Sequence, residues 1–391
     1  MNTQVTRTFF SGRLAGLLLF GWAATVFTAL FARIPDPAAP ARFATSASVA
    51  EAGNNFLPRY DVAQVTHGTT PFAHSVAVTT LPDGKLRAFW FGGSREGAAD
   101  AALYSALFTP STGGWSAATP VISPKRLQSD VLRWVRKVGN PVVIRDPQQR
   151  LHLYFVSVAA GGWAASAINT MVSTDNGANW GPARRLITTP FLNLSTLVKG
   201  APVLFEDGQI GLPVYHEFAG KFGEFLRVSA SGDVVRKTRL TSGRHSLQPV
   251  ILPQTDGSAV AFLRYAGPPP GRVLAVRSQD RGNTWGTPEK TTLSNPNSAL
   301  DALRLPDGAL LVAFNNAEDS RNDLSLAHSR DDGRSWRVIR RLEHASDPKA
   351  EFSYPRLLLA EDGTYHLLYT VDKKLIRHAR FNQAWLEGAL K

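Results

Sequence analysis

Ser173-Thr-Asp-Asn-Gly-Ala-Asn-Trp180 is the first of three copies of one pattern, Ser-x-Asp-x-Gly-x-x-Trp; the others are Ser278–Trp285 and Ser329–Trp336. Each copy follows a β-like run, such as residues 273–278. The Asp side chain can accept hydrogen bonds from backbone amides, and Gly tolerates a positive φ, so the pattern predicts a tight turn at the end of a strand. The Trp is a large apolar anchor that can pin this turn to a neighbouring strand. The motif therefore indicates a repeated structural unit rather than a catalytic group.

A second pattern indicates the number of repeated units in the fold. Asp-Gly between two apolar runs is typical of a β-hairpin. Five such pairs begin at Asp83, Asp207, Asp256, Asp307 and Asp362, and a sixth turn is Asp146-Pro147. The turns recur every 50 to 60 residues or so, within the range of known repeats. Six hairpins at this spacing predict an all-β, six-bladed β-propeller of four-stranded blades over residues 56–391.

The N-terminal segment has a different character. Leu14 to Phe31 contains no charged residue and follows Arg7 and Arg13. Such a run is long enough for one transmembrane helix, which we expect over residues 14–33; a cleaved signal peptide is the alternative. The two arginines predict a cytoplasmic segment at residues 1–13 and a propeller on the extracytoplasmic side, as in the periplasm of a bacterium with an inner-membrane anchor. Residues 34–55 are rich in Ala, Pro and Ser and indicate a linker.

Composition narrows the classes of partner. The net charge is +12, yet Lys and Arg are scattered without a basic run, so we expect no nucleic-acid partner. An anionic sugar, or anionic lipid beside the anchor, explains the charge more simply. The chain has no Cys, no cluster of His and acidic residues at metal-ligand spacing and no Gly-rich phosphate loop. We therefore expect neither a metal nor another cofactor.

The repeats resemble the Asp-boxes, or BNR repeats, of sialidases and sialidase-like (neuraminidase-like) proteins, which are six-bladed propellers. Three further stretches resemble a bacterial sialidase-like branch: residues 89–100, 247–249 and 353–355. The resemblance implies an exo-glycosidase that cleaves a terminal sugar acid with retention. Sialidases use a Tyr nucleophile activated by a Glu, an Asp acid/base, and three Arg residues around the substrate carboxylate.

The resemblance carries over residue by residue to part of this site. It implies that Tyr354 is the nucleophile and Asp100 the acid/base, and that Arg95, Arg264 and Arg321 contact the substrate. Arg suits this role because its planar guanidinium can donate two parallel hydrogen bonds to a carboxylate. The structural alternatives are that Asp100 caps a turn, that Tyr354 is a packed core residue, and that Arg95 forms an ion pair.

Two positions depart from the sialidase pattern. His74 stands where the first triad Arg is expected, and Gln248 stands where the activating Glu is expected. A Gln cannot accept the proton of a Tyr as a carboxylate can. We expect the missing function to come from Glu217 or the adjacent His216, on a neighbouring blade, or from His74, which could bind a carboxylate or act as a base. Asn140 and Asn297, each beside a Pro, are candidates for hydrogen bonds to sugar hydroxyls.

Three functions follow from these observations. The first is a sialidase-like exo-glycosidase that acts on an acidic terminal sugar of a glycan or polysaccharide. The second is a non-catalytic propeller that binds carbohydrate. The third is a uronate-directed polysaccharide lyase in which Tyr354 and His74 are the acid and base. The fold itself does not decide among them.

Overall fold

The structure is a computed structural model that describes residues 15–25, 41–44, 57–189, 193 and 195–390. The chain divides into two units, residues 1–41 and residues 42–391. In the first unit, residues 15–25 form a helix, α1. None of the helices in the described ranges combines the length and the apolar character that a membrane span needs. The rest of the predicted anchor, residue 14 and residues 26–33, lies outside the described residues, as does the predicted segment 1–13, so the anchor stays a prediction.

The second unit consists of six antiparallel sheets, which we number as blades in chain order. Blade 1 contains β2 (Phe72–Thr80), β3 (Leu86–Gly93), β4 (Ala102–Thr109), β5 (Gly114–Trp115) and β6 (Thr119–Ile122), and blade 2 contains β7 (Lys137–Arg145), β8 (Leu151–Val158), β9 (Ser166–Ser173) and β10 (Arg184–Arg185). Blade 3 contains β11 (Leu197–Val198), β12 (Val203–Leu204), β13 (Ile210–His216), β14 (Phe222–Val228) and β15 (Val234–Arg239), and blade 4 contains β16 (Ser246–Pro253), β17 (Ala259–Tyr265), β18 (Arg272–Ser278) and β19 (Glu289–Ser294). Blade 5 contains β20 (Asp301–Arg304), β21 (Leu310–Phe314), β22 (Asp323–Ser329) and β23 (Arg337–His344), and blade 6 contains β24 (Phe352–Leu359), β25 (Tyr365–Val371), β26 (Leu375–Phe381) and β1 (Tyr60–Gln64).

The first strands of successive blades contact one another and so surround a central axis. Strand β2 contacts both β7 and β24, and β20 contacts both β16 and β24. The predicted six-bladed propeller is confirmed. Its outermost strand in blade 6 is β1, which pairs with β26 from Tyr60↔Phe381 to Gln64↔Arg377. The sequence analysis did not predict this pairing, which joins the two ends of the domain and covers an edge that would otherwise be open.

The antiparallel order fixes which loops share a face. The six predicted hairpin turns join the first and second strands of the blades, and the Asp-boxes follow the third strands. All of these turns therefore lie at the same end of the blades, which we call the turn face. The starts of the first strands and the loops between second and third strands lie at the other end, which we call the loop face.

The three Asp-boxes have one geometry. In the first, Gly177 N donates to Ser173 Oγ at 2.8 Å, Asn179 N donates to Asp175 Oδ1 at 2.8 Å, and Trp180 Nε1 donates to the Gly177 carbonyl at 3.1 Å. The other two copies repeat these bonds. Each Trp ring stands edge-on to a Phe of the preceding blade, in the pairs Phe89–Trp180, Phe225–Trp285 and Phe262–Trp336. The motif therefore closes a turn and joins two blades, which confirms the predicted structural role.

Two short α-helices and one 3₁₀ helix (Gly162–Ala165) complete the described part of the domain. The helix α2 (Pro124–Val131) was not predicted; Ser123 caps it by accepting from Arg126 N at 3.2 Å, and Pro124 begins its first turn. The helix α3 (Gln383–Glu387) follows the last strand of the chain, and Asn382 caps it by accepting from Trp385 N at 3.1 Å.

Residues 42–44 dock on the turn face of blade 3. Ala44 N donates to the Leu204 carbonyl, and Glu206 N donates to the Arg42 carbonyl, both at 2.9 Å. Between them the Phe43 ring stacks on Phe205 with 4.8 Å between centroids. A stretch that the sequence assigned to the linker thus belongs to the packed unit.

Candidate active site

Four first strands are interrupted at the loop face by a β-bulge. The ladder with the second strand skips the residue pairs that begin at Ser75, Asn140, Gln248 and Tyr354. All four residues have positive φ, between 47° and 55°. Bulges re-aim side chains, and non-glycine residues in this region of φ are strained and concentrate at functional sites. The visible sequence signal is the Pro that follows three of them, at positions 141, 249 and 355.

The bulges bring Gln248 of blade 4 to Tyr354 of blade 6. Gln248 Nε2 donates to Tyr354 Oη at 2.9 Å, and Gln248 Oε1 accepts from Arg264 Nη1 at 3.1 Å. Because a guanidinium can only donate, the contact with Arg264 determines which end of the amide faces Tyr354. Gln248 is 1% exposed, so this orientation has no competition from bulk water.

Tyr215 extends the cluster toward blades 2 and 3. Its hydroxyl oxygen accepts from Asn140 Nδ2 at 3.3 Å and from Gln248 Nε2 at 3.4 Å. Burial, reinforced by the nearby Tyr354 and Glu217, raises the pKa of Tyr215 well above its ordinary value. Tyr215 is therefore a neutral hydroxyl that connects Asn140 to Gln248. Sequence reasoning gave it no role in the site.

Asn297 joins the two arginines predicted to bind a carboxylate. Its side-chain oxygen accepts from Arg264 Nε at 2.7 Å, and its main-chain carbonyl accepts from Arg321 Nη2 at 2.8 Å. Arg264 Nη2 has no hydrogen-bond partner among the described residues. Two positively charged guanidinium groups therefore lie on either side of Asn297, within a cluster of polar side chains.

Glu351 is a site residue that the sequence analysis missed. It accepts from Arg321 Nη1 at 2.9 Å and lies 3.8 Å from Lys373 Nζ. Burial opposes the ionisation of Glu351, but the nearby Ser353 and the charges of Arg321 and Lys373 outweigh that effect and lower the pKa of Glu351. The one feature of the sequence that could have indicated a role for Glu351 is its position three residues before Tyr354.

His74 lies beneath Tyr354 and has mostly apolar neighbours. The two rings are 4.3 Å apart between centroids, and Phe72 and Phe91 pack on the imidazole. His74 Nδ1 is 3.2 Å from Thr370 Oγ1, and burial lowers the pKa of His74 to about 4. The side chain is therefore neutral at pH 7, and it carries no charge to replace the triad Arg expected at this position.

Glu217 lies at the end of β13, on the loop face beside Tyr215. Its backbone N donates to Ser195 Oγ at 2.8 Å. Burial raises the pKa of its carboxyl group, while Arg264 and Lys221 act in the opposite direction. A raised pKa makes an ionised carboxylate a stronger proton acceptor than an ordinary one. The adjacent His216 turns to Phe222, on which its ring stacks at 4.7 Å.

The predicted catalytic Asp100 lies in the loop between β3 and β4, at the loop face. Its carboxylate accepts from Ser94 N and Ser94 Oγ, both at 3.0 Å, and the side chain is exposed. Arg95 is exposed in the same loop. Glu96, between them, pairs with Lys373 at 2.9 Å and so ties the loop to blade 6. Asp100 thus caps the loop, as the structural alternative proposed, and its role in catalysis stays a prediction.

We call the cluster built by these contacts the axial site; it comprises Asn140, Tyr215, Gln248, Arg264, Asn297, Arg321, Glu351 and Tyr354. Blades 2 to 6 all contribute to it, and His74 of blade 1 supports it. No group of three or more His, Cys, Asp or Glu that could hold a metal exists among the described residues. A cavity of about 440 Å³ lies elsewhere, on the turn face beside Trp336, and contains no predicted site residue.

Fold and site together define a six-bladed propeller with a polar, arginine-containing site at its axis. The comparison with protein families specifies this class further. The BNR repeat-like domain family matches residues 84–367, and the chain belongs to that family. The resemblance to sialidase-like proteins drawn from the Asp-boxes is confirmed.

Individual relatives agree with this assignment. A sialidase from Micromonospora viridifaciens is 33% identical over 34% of this chain, and the match spans about a fifth of that relative, 21% of its length. The Hadza microbial sialidase Hz136 superimposes with a TM-score of 0.65 at 13% identity, covering 81% of this chain and 68% of that one. A protein of unknown function from Dyadobacter fermentans DSM 18053 gives 0.66 at 15% identity, covering 83% of this chain and 100% of that one. A leech intramolecular trans-sialidase gives 0.64 at 13% identity, covering 84% and 70%. These structural matches establish the fold.

Proposed function

We propose that this protein is a sialidase-like exo-glycosidase that acts on a terminal sugar acid of a glycan or polysaccharide. The observation that carries the proposal is the hydrogen-bonded chain Arg264–Gln248–Tyr354, with Arg321 held beside it by Asn297. It combines guanidinium donors suited to a carboxylate with a tyrosine oxygen suited to attack at a neighbouring carbon.

In the proposed reaction, Arg264 and Arg321 bind the carboxylate of the sugar acid. Tyr354 Oη forms a bond to the anomeric carbon while the glycosidic C–O bond breaks, and Asp100 donates a proton to the leaving oxygen. Water then cleaves the glycosyl–tyrosine bond with Asp100 as base, so that Asp100 regains a proton from the water. The departing Tyr354 oxygen regains its own proton from the group that accepted it in the first step, and the overall outcome is retention. Gln248 continues to donate to the tyrosine oxygen when that oxygen carries negative charge, because Arg264 holds its amide in place.

The proton of Tyr354 needs an acceptor, since Gln248 cannot take it. We propose Glu217, which lies beside Tyr215 and Arg264 and reaches the site from blade 3. His74 is a weaker choice, because its ring is 3% exposed and its pKa is lowered to about 4. The burial and lowered pKa of His74 also disfavour a uronate-directed polysaccharide lyase, because that reaction would need His74 as its base or acid.

A non-catalytic carbohydrate-binding propeller is the second candidate. The specific observation in its favour is that Gln248 and His74 replace an activating carboxylate and a cation, while both arginines remain in place. Such a site could keep affinity for a sugar acid after losing its chemistry.

The deciding experiment is a turnover and binding assay on residues 42–391 with 4-methylumbelliferyl sialic acid and a panel of acidic oligosaccharides. We expect turnover, and its loss in both Tyr354→Phe and Asp100→Asn. Binding without turnover would support the second candidate, and an unsaturated product end would support the lyase. If the protein neither bound nor turned over any sugar acid, the proposal would be overturned.

We further propose that residues 14–33 anchor the chain in a membrane with the propeller on the extracytoplasmic side. The uncharged run between Arg13 and Arg33 supports this proposal. Membrane fractionation followed by protease accessibility of the propeller in spheroplasts tests it. Recovery of a shortened chain in the soluble fraction would instead support a cleaved signal peptide.

A further inference from the structure

The axis of the propeller contains a buried lysine that the proposed reaction does not use. Lys199 follows β11 in blade 3, and its side chain is almost completely covered, with 6% of the residue exposed. Its Nζ donates to the main-chain carbonyls of Leu300 at 2.6 Å and Pro355 at 2.9 Å. One ammonium group thus joins blade 3 to blades 5 and 6 across the axis.

The contact with Pro355 falls on the bulge that carries Tyr354. Tyr354 has a φ of 53°, and neither it nor Pro355 pairs with β25, because the register jumps from Ser353 to Arg356. Pro355 has no N–H group, so its carbonyl is the one hydrogen-bonding group that its backbone offers. Lys199 therefore holds the Pro355–Arg356 peptide, which begins one residue after Tyr354.

The next residue of the same segment supports the second bulge. A Cβ added to Gly200 would collide with the carbonyl oxygen of Pro249, the residue after Gln248. Lys199 thus contacts the bulge that carries Tyr354, and Gly200 contacts the bulge that carries Gln248. A larger residue at position 200 would push this support away from Gln248.

A buried ammonium is costly, so its retention here requires an explanation. Burial lowers the pKa of Lys199 to about 8, and the charge of Arg356 adds to this, while Asp301 opposes it. Asp301 Oδ2 accepts from Arg356 Nη1 at 2.9 Å and from Leu357 N at 2.7 Å, whereas its Oδ1 has no hydrogen-bond partner among the described residues and forms no hydrogen bond with Lys199. The geometry offers one benefit in return, which is the fixed position of the strained segment next to Tyr354.

We propose that Lys199 is a positioning residue: through the carbonyl of Pro355 it holds Tyr354 in the bulged conformation that places its hydroxyl against Gln248. The catalytic aspect of this inference rests on the proposed function, whereas the conformational aspect does not. The two aspects are therefore tested with separate readouts.

The conformational test is hydrogen exchange followed by mass spectrometry on Lys199→Met, which keeps the length of the side chain and removes its N–H groups. We expect exchange in residues 352–359 to become at least tenfold faster, while residues 151–158 of blade 2 keep the wild-type rate. Unchanged exchange in 352–359, or equal acceleration in both segments, would overturn the proposal. If the Met variant does not fold, Lys199→Gln, which retains an N–H donor, carries the same test with the same criteria.

The functional test is a double-mutant cycle on affinity for the sugar acid identified in the panel. Lys199→Met should weaken binding at least tenfold in the wild-type background and less than twofold in Tyr354→Phe, because its effect passes through the tyrosine hydroxyl. Lys199→Arg, which keeps the donors, should recover most of the loss. Equal losses in both backgrounds would overturn the positioning role. A chain that binds no sugar acid would refute the proposed function, and the exchange result would still decide the role of Lys199.

Discussion

Gln248 donates a hydrogen bond to the hydroxyl oxygen of Tyr354 at 2.9 Å, across the axis from blade 4 to blade 6. Both residues sit in β-bulges with positive φ, and Arg264 fixes the Gln248 amide from its other side. The tyrosine hydroxyl is therefore held in one position, but the Gln248 side chain cannot accept its proton. Substitutions of Gln248 therefore test directly whether proton transfer from Tyr354 limits the proposed reaction.

The first prediction concerns Gln248→Glu. A carboxylate at this position would accept the Tyr354 proton while keeping the contact with Arg264. A positioned general base contributes about 10² to 10⁴ in rate, so we expect turnover of the sugar acid to rise by at least tenfold. Steady-state kinetics measure the change. Gln248→Met, which removes the donor and adds no base, should lower turnover. A Glu variant no faster than the wild type would refute a Tyr354 nucleophile whose rate is limited by removal of its proton.

The second prediction concerns Arg321→Met. Losing a guanidinium that binds a carboxylate should weaken affinity for the sugar acid at least tenfold, since charge-assisted hydrogen bonds are the stronger kind. Affinity for a neutral methyl ester of the same sugar should change less than twofold. Isothermal titration calorimetry measures both ligands.

The matched control for that experiment is Arg304→Met. Arg304 forms an ion pair with Asp332 at 2.9 Å on the turn face, with exposure similar to that of the Arg321–Glu351 pair. It should leave both affinities unchanged. An equal loss in the two variants would show that Arg321 acts on stability rather than on the ligand.

The fold was predictable because its signals are local. The Asp-Gly turns and the Asp-boxes depend on residues within eight positions of each other, and their spacing alone gave six blades. The pairing of β1 with β26 escaped prediction because it joins residues over 300 positions apart. Nothing in the short stretch of residues 60–64 indicates its partner.

The site was predictable only in part, for the same reason. The resemblance to sialidases points to Arg264, Arg321, Gln248 and Tyr354, and the structure brings these four residues together. Tyr215 and Glu351 were missed because their proximity depends on how neighbouring blades pack around the axis. Whether Asp100 and Glu217 act in catalysis depends on a bound substrate and stays a prediction.

The third prediction concerns the Asp-box tryptophans. Trp336 stands edge-on to Phe262, with 5.4 Å between ring centroids, and so links blade 5 to blade 4. Trp336→Ala should lower the free energy of unfolding by about 2 kcal/mol, less than for a fully buried Trp because the ring is half-buried. Urea denaturation measures this value. Trp134→Ala, at a position 60% exposed, should change it by less than about 0.5 kcal/mol. Equal effects would contradict the anchoring role.

The fourth prediction is acid sensitivity from the buried pair His366 and His378. His366 Nδ1 lies 2.9 Å from His378 Nε2, and burial lowers the pKa of His366 to about 4 and that of His378 well below its ordinary value. The unfolded chain therefore binds more protons than the folded chain between pH 6.5 and 4. Stability is full above pH 6.5 and falls as the pH drops toward 4, on the order of 3 kcal/mol for one such histidine.

Urea denaturation at several pH values measures this slope. His366→Gln should flatten it between pH 6.5 and 4, because one buried titrating group is removed. His67→Gln, at an exposed position, should leave the slope as in the wild type. A slope unaffected by His366→Gln would contradict the assignment.

The fifth prediction places the start of the folded unit before residue 56. Phe43 is 3% exposed and packs on Phe205 and Phe225, while the backbone on either side of it bonds to blade 3. Phe43→Ala in residues 42–391 should lower the free energy of unfolding by about 3 kcal/mol, the lower end for a buried Phe. Phe43→Leu should lose less than half of that, because Leu fills part of the same space. A chain beginning at residue 57 should be at least as destabilised as Phe43→Ala. If that shortened chain were as stable as residues 42–391, the docking of Phe43 would contribute nothing and the propeller would begin where the sequence first suggested.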